Sequence, residues 1–167
     1  MLAQSQQQMK AQVKIRRINK NIPLPAMLNI GEWVDVYSAT DIEVGNTPIT
    51  YIPLGIAVKL PPGYEAIIAS RSSTPKRFGI WNSGSIGVVD NSYSGNNDEW
   101  KYPATTIGCQ RAHIKEGDRI AQFRIQLSQK ATMWQRIKWL FTSGIRIVEV
   151  ERLNGEDRSG FGSTGAR

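Results

Sequence analysis

Five polar stretches interrupt the hydrophobic pattern of this 167-residue chain: Asp35 in EWVDVYSA, Arg71-Ser72-Ser73 in ASRSSTPKRFGI, Asp90 and Tyr93 in GVVDNSYSG, Gln122 in EGDRIAQF, and the run RSGFGSTG from Arg158 to Gly165. Arginine presents a planar fork to phosphate oxygens, hydroxyls add shorter contacts, and glycine-rich turns let backbone N–H groups come close. Arg71, Ser72, Ser73, Gln122, Arg158, Ser163 and Thr164 therefore form a set able to hold a triphosphate. Splitting a phosphoanhydride with water also needs a base beside the water and a divalent cation against the developing charge. Asp90 and Asp35 are the carboxylates available for those tasks. Phe161 can close over a flat ring, because stacking costs a phenylalanine little entropy and excludes water. Each stretch alone has a plainer reading: RSS is usually a surface turn, Asp-Asn-Ser a hairpin tip, GDRIAQ a turn into a strand, and a glycine-rich end a frayed terminus. The aromatic residue inside that end argues against fraying, since disordered tails are poor in aromatics.

The elements that carry these loops read mainly as strands. Ile56, Val58 and Leu60 alternate on one face of GIAVKL, Pro61-Pro62-Gly63 turns the chain, and Tyr64, Ala66 and Ile68 resume the period of two. Ala121, Phe123, Ile125 and Leu127 alternate with Gln122, Arg124 and Gln126 in the same way. In IRIVEVE the apolar phase slips between Ile147 and Val148, which predicts a bulge or a change of sheet. Short strands punctuated by Gly, Pro, Asn and Asp predict an all-β barrel or sandwich. One segment departs from this: in 130–142, KATMWQRIKWLFT, the residues Met133, Trp134, Ile137, Leu140 and Phe141 follow helical spacing, with Gly144 where a C-cap belongs. The spacing predicts an amphipathic helix whose apolar stripe caps the barrel, leaving Lys130, Arg136, Lys138 and Trp139 as a basic outer face. That face is either simply solvated or a docking surface for a protein, nucleic acid or membrane.

Composition narrows the partners. With 167 residues and 40% hydrophobic content the chain suits one domain with a substantial core. Its formal charge of +7 implies an anionic partner. The single cysteine, Cys109, excludes an internal disulfide and a Cys-based zinc site, and His113 four residues on reads as structural rather than as its catalytic base. No apolar run is long enough for a bilayer, and glutamines occupy MLAQSQQQMKAQ where a secretory signal needs apolar residues, so a cytoplasmic, reducing location is expected.

The order and spacing of the five stretches resemble the motifs of the trimeric dUTP diphosphatase (dUTPase) family, around Asp35, 70–79, 87–95, 117–122 and 158–165. The likeness spans about 10–127 and 145–167, and RSS followed by FGI, GDRIAQ and RSGFGSTG are its most specific parts. It implies a jelly-roll-like barrel over 13–153, preceded by a Gln-rich extension over 1–12 and followed by a flexible lid over 154–167. It also implies a homotrimer with sites between subunits, the tail of one chain swinging over its neighbour. The implied reaction is attack of water on the α-phosphorus of dUTP, giving dUMP and pyrophosphate, with Mg2+ on the triphosphate.

On this resemblance Asp90 is the general base, and Tyr93 packs under the deoxyribose and rejects a 2′-hydroxyl. The hairpin from Ser83 to Val89 reads uracil through its backbone, with Gly84, Gly87 and Val89 in contact and Asn82 nearby. Arg71, Ser72, Ser73 and Gln122 contact the phosphates, and Asp35 holds a magnesium-bound water. Arg158, Gly162, Ser163 and Thr164 close on the γ end while Phe161 stacks on the base. The chain departs from the family pattern in three places. Trp33 and Val34 stand where a Gly-Tyr pair is usual, SGNNDEWKYP forms a long polar loop after the third motif, and the helix over 130–142 is inserted between the fourth and fifth. Extra elements in that region occur in phage members, which suggests a phage or prophage origin.

Three other readings compete. A dCTP deaminase shares the barrel and an RSS-like motif, but its chemistry calls for a glutamate near the pyrimidine amino group, and the third motif holds none before Glu99. A regulatory protein using the dUTPase body as a nucleotide-controlled switch would draw on the inserted helix as a protein-binding element. A plain nucleic-acid binder fits least, because the positive charge is scattered and no nucleic-acid module is visible.

Overall fold

The computed structural model describes residues 10–27, 32–108, 110–142 and 144–158. Its strands are β1 (Ala11–Arg17), β2 (Val34–Tyr37), β3 (Ile42–Val44), β4 (Thr50–Lys59), β5 (Tyr64–Ser70), β6 (Ile80–Asn82), β7 (Ile86–Val89), β8 (Glu99–Thr106), β9 (Ala112–Ile114), β10 (Arg119–Leu127) and β11 (Ile145–Glu149). Helix α1 (Thr74–Phe78) lies between β5 and β6, and α2 (Met133–Leu140) between β10 and β11. The strands form a five-stranded sheet in the order β11-β1-β4-β8-β6, a four-stranded sheet in the order β2-β10-β5-β7, and the pair β3-β9. No helix among the described residues is long and apolar enough to cross a membrane.

The alternation predicted in GIAVKL and YEAII is present, with Ile56, Val58, Leu60, Tyr64, Ala66 and Ile68 all buried. The two strands are not a hairpin, however, because β4 pairs with β1 and β8 while β5 pairs with β7 and β10. Pro61-Pro62-Gly63 thus carries the chain from one sheet to the other. The sheets meet where Trp100 of β8 sets its edge against Phe123 of β10, ring centroids 5.2 Å apart at 86°. Edge-to-face pairs of this kind stabilise beyond the area they bury.

Gly55 explains an irregularity in β4. Its φ is +65°, and a Cβ there would lie 2.7 Å from Ile22 Cδ1 and 2.9 Å from Ala39 Cβ. Only glycine tolerates both the left-handed backbone and that approach. The β4–β8 register shifts across this residue, between Pro53 and Ala57. The Gly55 N–H turns to the Glu99 carboxylate, 2.9 Å from Oε1.

Two expectations fail. β11 shows no bulge: Ala11 to Ile15 of β1 pair in unbroken parallel register with Ile145 to Glu149. Its mixed phase reflects an edge position, with Ile145, Ile147 and Val148 each only half-buried. The second failure concerns α2. It is well formed, because Thr132 and Gln135 make a reciprocal capping box, but its apolar stripe faces outward. Trp134 is 79% and Leu140 78% exposed, with Met133 and Phe141 also exposed. The side that packs carries Trp139, whose ring meets Tyr64 at 5.4 Å.

Candidate active site

A cavity of about 450 Å³ opens between the β6–β7 segment and β8; β6 pairs with β8 and β7 with β5, so the segment expected as a hairpin crosses from one sheet to the other. Asn82, Gly84, Gly87, Val89, Asp90 and Tyr93 are among its lining residues, together with Trp100 and Arg158. One end of the segment is pinned by β7 pairing to β5, with Ile68 opposite Gly87 and Ala66 opposite Val89. Its tip bends sharply, and Ser85 is the one non-glycine residue with positive φ, 65°, among the described residues. Asn82 Oδ1 accepts the Gly84 N–H at 3.0 Å, which fixes the amide so that Nδ2 is the free end. That Nδ2 is buried and has no hydrogen-bond partner among the described residues, and neither does the indole N–H of Trp100. Buried donors rarely stay unpaired, so a cavity lined by two of them is suited to a ligand with acceptor oxygens.

Asp90 follows β7 and stands at the cavity edge. Ser92 donates to its Oδ1 twice, from the backbone N–H at 2.7 Å and from the hydroxyl at 2.5 Å. These bonds hold the Asp90 carboxyl below its ordinary pKa, helped by the charges of Lys130 and Arg158 and opposed by partial burial. Arg158 Nη1 donates to the Ser92 hydroxyl oxygen, so a chain of contacts runs from the guanidinium to the carboxylate. Tyr93 is half-buried, its OH donating to the Glu99 carbonyl at 3.1 Å, and burial raises its pKa.

The residues of the first, second and fourth stretches lie elsewhere. None of Asp35, Arg71, Ser72, Ser73 and Gln122 lines this cavity. Arg71, Ser72 and Ser73 occupy the turn from β5 into α1, closed by the Thr74 N–H on the Arg71 carbonyl at 2.9 Å. Thr74 Oγ1 anchors that turn on the Ile120 carbonyl at 2.8 Å. Ser73 is the N-cap residue yet makes no side-chain cap bond, which leaves its exposed hydroxyl for another partner. Gln122 sits opposite Asp35 across β10 and β2, which brings both to the Arg71 turn. Asp35 is paired with Arg71 Nε at 2.8 Å and Arg119 Nη1 at 3.2 Å. Its carboxylate is thus committed to two guanidinium groups, and among the described residues no three His, Cys, Asp or Glu side chains gather where a metal ion could be held.

Phe161, Gly162, Ser163 and Thr164 lie outside the described residues, as does Cys109. His113 is exposed and 3.7 Å from Glu43 Oε2. Sequence reasoning misses Ser92 and Arg119. The Asp-x-Ser spacing is the signal for Ser92, since an Asp side chain commonly accepts from the backbone two residues on. Arg119 offers none, because its partner is 84 residues away.

A family model described as dUTPase matches residues 34–137, more than half of the chain. This chain is a member of the dUTPase family. It is 38% identical over 156 residues to the SPbeta prophage-derived deoxyuridine 5′-triphosphate nucleotidohydrolase YosS of Bacillus subtilis (strain 168), covering 93% of this chain and 99% of that one. It is 36% identical over 160 residues to a deoxyuridine 5′-triphosphate nucleotidohydrolase of Caldanaerobacter subterraneus subsp. tengcongensis, covering 92% and 97%. The fold agrees: the dUTPase crystal structure from Streptococcus mutans superposes with a TM-score of 0.62 at 20% identity, over 71% of this chain and 98% of that one. A mutant dUTPase from phage phi11 of S. aureus, described for its coordination of a structural Mg(II) ion, gives 0.60 at 18% identity over 72% and 94%. Membership of the dUTPase family accounts for the mainly β architecture.

Proposed function

We propose that this chain hydrolyses dUTP to dUMP and pyrophosphate. One observation carries the reading: a single cavity joins the unpartnered amide of Asn82, the ring of Tyr93 and the carboxylate of Asp90. The Asn82 N–H complements a ring carbonyl of uracil. The amino group of cytosine would put donor against donor, and unpaired buried polar groups are what make such a mismatch costly.

Asp90 stays ionised at neutral pH and is a weak base in the resting site. It orients a water and takes its proton as the oxygen bonds to the α-phosphorus, while the bond to the β-phosphate breaks and pyrophosphate leaves. Tyr93 packs against the deoxyribose. Arg71, Ser72, Ser73 and Gln122 bind phosphates, and since they line a different part of this chain, a homotrimer that brings them from a neighbouring copy completes the site. Arg158, with Gly162, Ser163 and Thr164, closes over the γ end while Phe161 stacks on uracil.

The donor set does not suit a resident metal, because Asp35 is already held by Arg71 and Arg119. A magnesium ion carried by the triphosphate would offset charge on its oxygens, and Asp35 would be limited to a contact through water.

A deaminase is disfavoured by Glu99: it lines the cavity, but its Oε1 accepts the Gly55 N–H at 2.9 Å. The outward apolar face of α2 favours an added protein-binding role. Deleting 129–143 would then abolish partner capture and leave hydrolysis intact.

The deciding experiment separates nucleotide products after incubation with dUTP, UTP, dTTP and dCTP, with and without magnesium. Conversion of dUTP alone to the monophosphate is expected. Ammonia from dCTP, or no turnover of dUTP, would overturn the reading.

A further inference from the structure

A second cavity, of about 540 Å³, lies where the start of β1, the β4–β5 turn and α2 come together. It shares no lining residue with the cavity that holds Asp90, and none of Arg71, Ser72, Ser73 and Gln122 borders it. Its size falls within the range of about 300–1,000 Å³ usual for small-molecule sites.

The charge of its lining is of one sign. Lys10, Lys14, Lys59 and Lys138 border it, and no carboxylate does. None of these four makes an ion pair among the described residues, whereas Arg17, Lys20, Arg71 and Arg119 are each held by an acidic partner. Two of the four face each other: Lys14 of β1 stands directly opposite Lys59 of β4 in the antiparallel register. Like charges in that position repel and destabilise the sheet.

Helix α2 supplies the remaining wall. Gln135 packs so close to the β4–β5 turn that a Cβ on Gly63 would fall 2.6 Å from its Cδ, and the ring of Trp139 sets against Tyr64. The capping box holds Gln135 in place, its Oε1 accepting the Thr132 N–H at 2.7 Å. These contacts fix the roll of the helix, which turns its apolar stripe to solvent and brings Lys138 to the cavity. The packing of α2 therefore adds a cation to a pair that already repels, a cost that an anion seated among the three would offset.

We propose that this cavity binds a chain of phosphates, as inorganic tripolyphosphate or as the phosphate tail of a nucleotide, with Lys14, Lys59 and Lys138 as its charge partners. Lysine meets phosphate as a point charge on a flexible stem. Four of them around one concavity match an anion whose charge is spread over several groups. A nucleic-acid backbone needs cations along an extended track instead. Leu60, Pro61 and Tyr64 give the floor an apolar surface beside the lysines.

The test titrates the full-length protein calorimetrically with tripolyphosphate and, separately, with ATP. Both titrations contain a dUTP analogue carrying nitrogen between the α- and β-phosphorus, to keep the Asp90 cavity filled. One equivalent per chain should bind, more weakly as salt is raised. Lys59→Gln and Lys138→Gln should each weaken binding by about three- to fivefold, and the double variant by about tenfold. Lys115→Gln, which does not border the cavity, should leave it unchanged. Equal affinity for the two ligands would show that the phosphates alone are read, and tighter ATP that the floor also takes a nucleoside; both support the site. Thermal unfolding gives a second readout. Without ligand, Lys59→Gln should raise the midpoint by removing the repulsion from Lys14, and tripolyphosphate should raise the midpoint of the parent more than that of the variant. Absence of tripolyphosphate binding, or binding that both lysine variants leave intact, would overturn the proposal. So would a single-stranded oligonucleotide that binds through these lysines when tripolyphosphate does not. None of these outcomes depends on whether dUTP is turned over.

Discussion

Ser92 grips one oxygen of Asp90 with two donors, its backbone N–H at 2.7 Å and its hydroxyl at 2.5 Å, and leaves Oδ2 without a partner among the described residues. An aspartate held this way has one oxygen fixed and one available. The fixed one sets the direction in which the other points, and that is what a water-orienting carboxylate requires.

Asp90→Asn should reduce kcat by about 10²- to 10⁴-fold, the usual contribution of a positioned general base. Binding of dUTP should change little, because removing a base acts on the transition state more than on the ground state. Single-turnover rates and calorimetric titration separate the two, and an equal loss in both would remove Asp90 from that role.

The pH dependence of kcat/KM should carry the mark of Ser92. With its pKa lowered, Asp90 keeps its charge as pH falls through the ordinary carboxylate range, and activity is lost only as pH drops through the lowered value. Ser92→Ala removes the hydroxyl that contributes most to this shift, so its acidic limb should move upward, toward the ordinary aspartate range. Identical acidic limbs in parent and variant would show that the limb belongs to another group.

If dUTP is read as proposed, Asn82→Ala should cost about tenfold in kcat/KM, since it deletes a buried donor that has no partner among the described residues. Binding of dCTP should not weaken with it. Parallel loss of affinity for both nucleotides would mean that Asn82 supports the β6–β7 turn rather than reads the base.

Helix α2 gives a stability prediction with opposite outcomes for two tryptophans. Trp134→Ala should shift unfolding by less than about 0.5 kcal/mol, as exposed substitutions do. Trp139→Ala, which breaks the contact with Tyr64, should cost about 1–3 kcal/mol. Urea denaturation with both variants decides which face of the helix meets the barrel.

The sequence was informative where physical demand is local. Alternation placed Ile56, Val58, Ala121 and Phe123 inside, because a strand with one buried face repeats every two residues whatever it pairs with. The order of the five stretches carried the family, since the residues that mark each stretch lie close together in the chain. The helix over 130–142 was also legible as a helix from its spacing, yet the direction of its apolar stripe was not. Hydrophobic spacing says that a face wants cover and does not say where cover is.

Partners far apart in the chain were decided by the fold alone. Arg119 reaches Asp35 across 84 residues and Asp157 reaches Asn97 across 60; nothing near either residue announces the other. SGNND read only as a long polar loop, and its place appeared when β8 and the turn after β11 brought it against 153–158. From sequence alone came the strands, the motif residues and the chemistry they could perform. Tertiary structure alone divided those residues between two places and brought Arg158 to Ser92, because periodicity records what each face of an element must bury, while distance in space depends on how all the sheets close together.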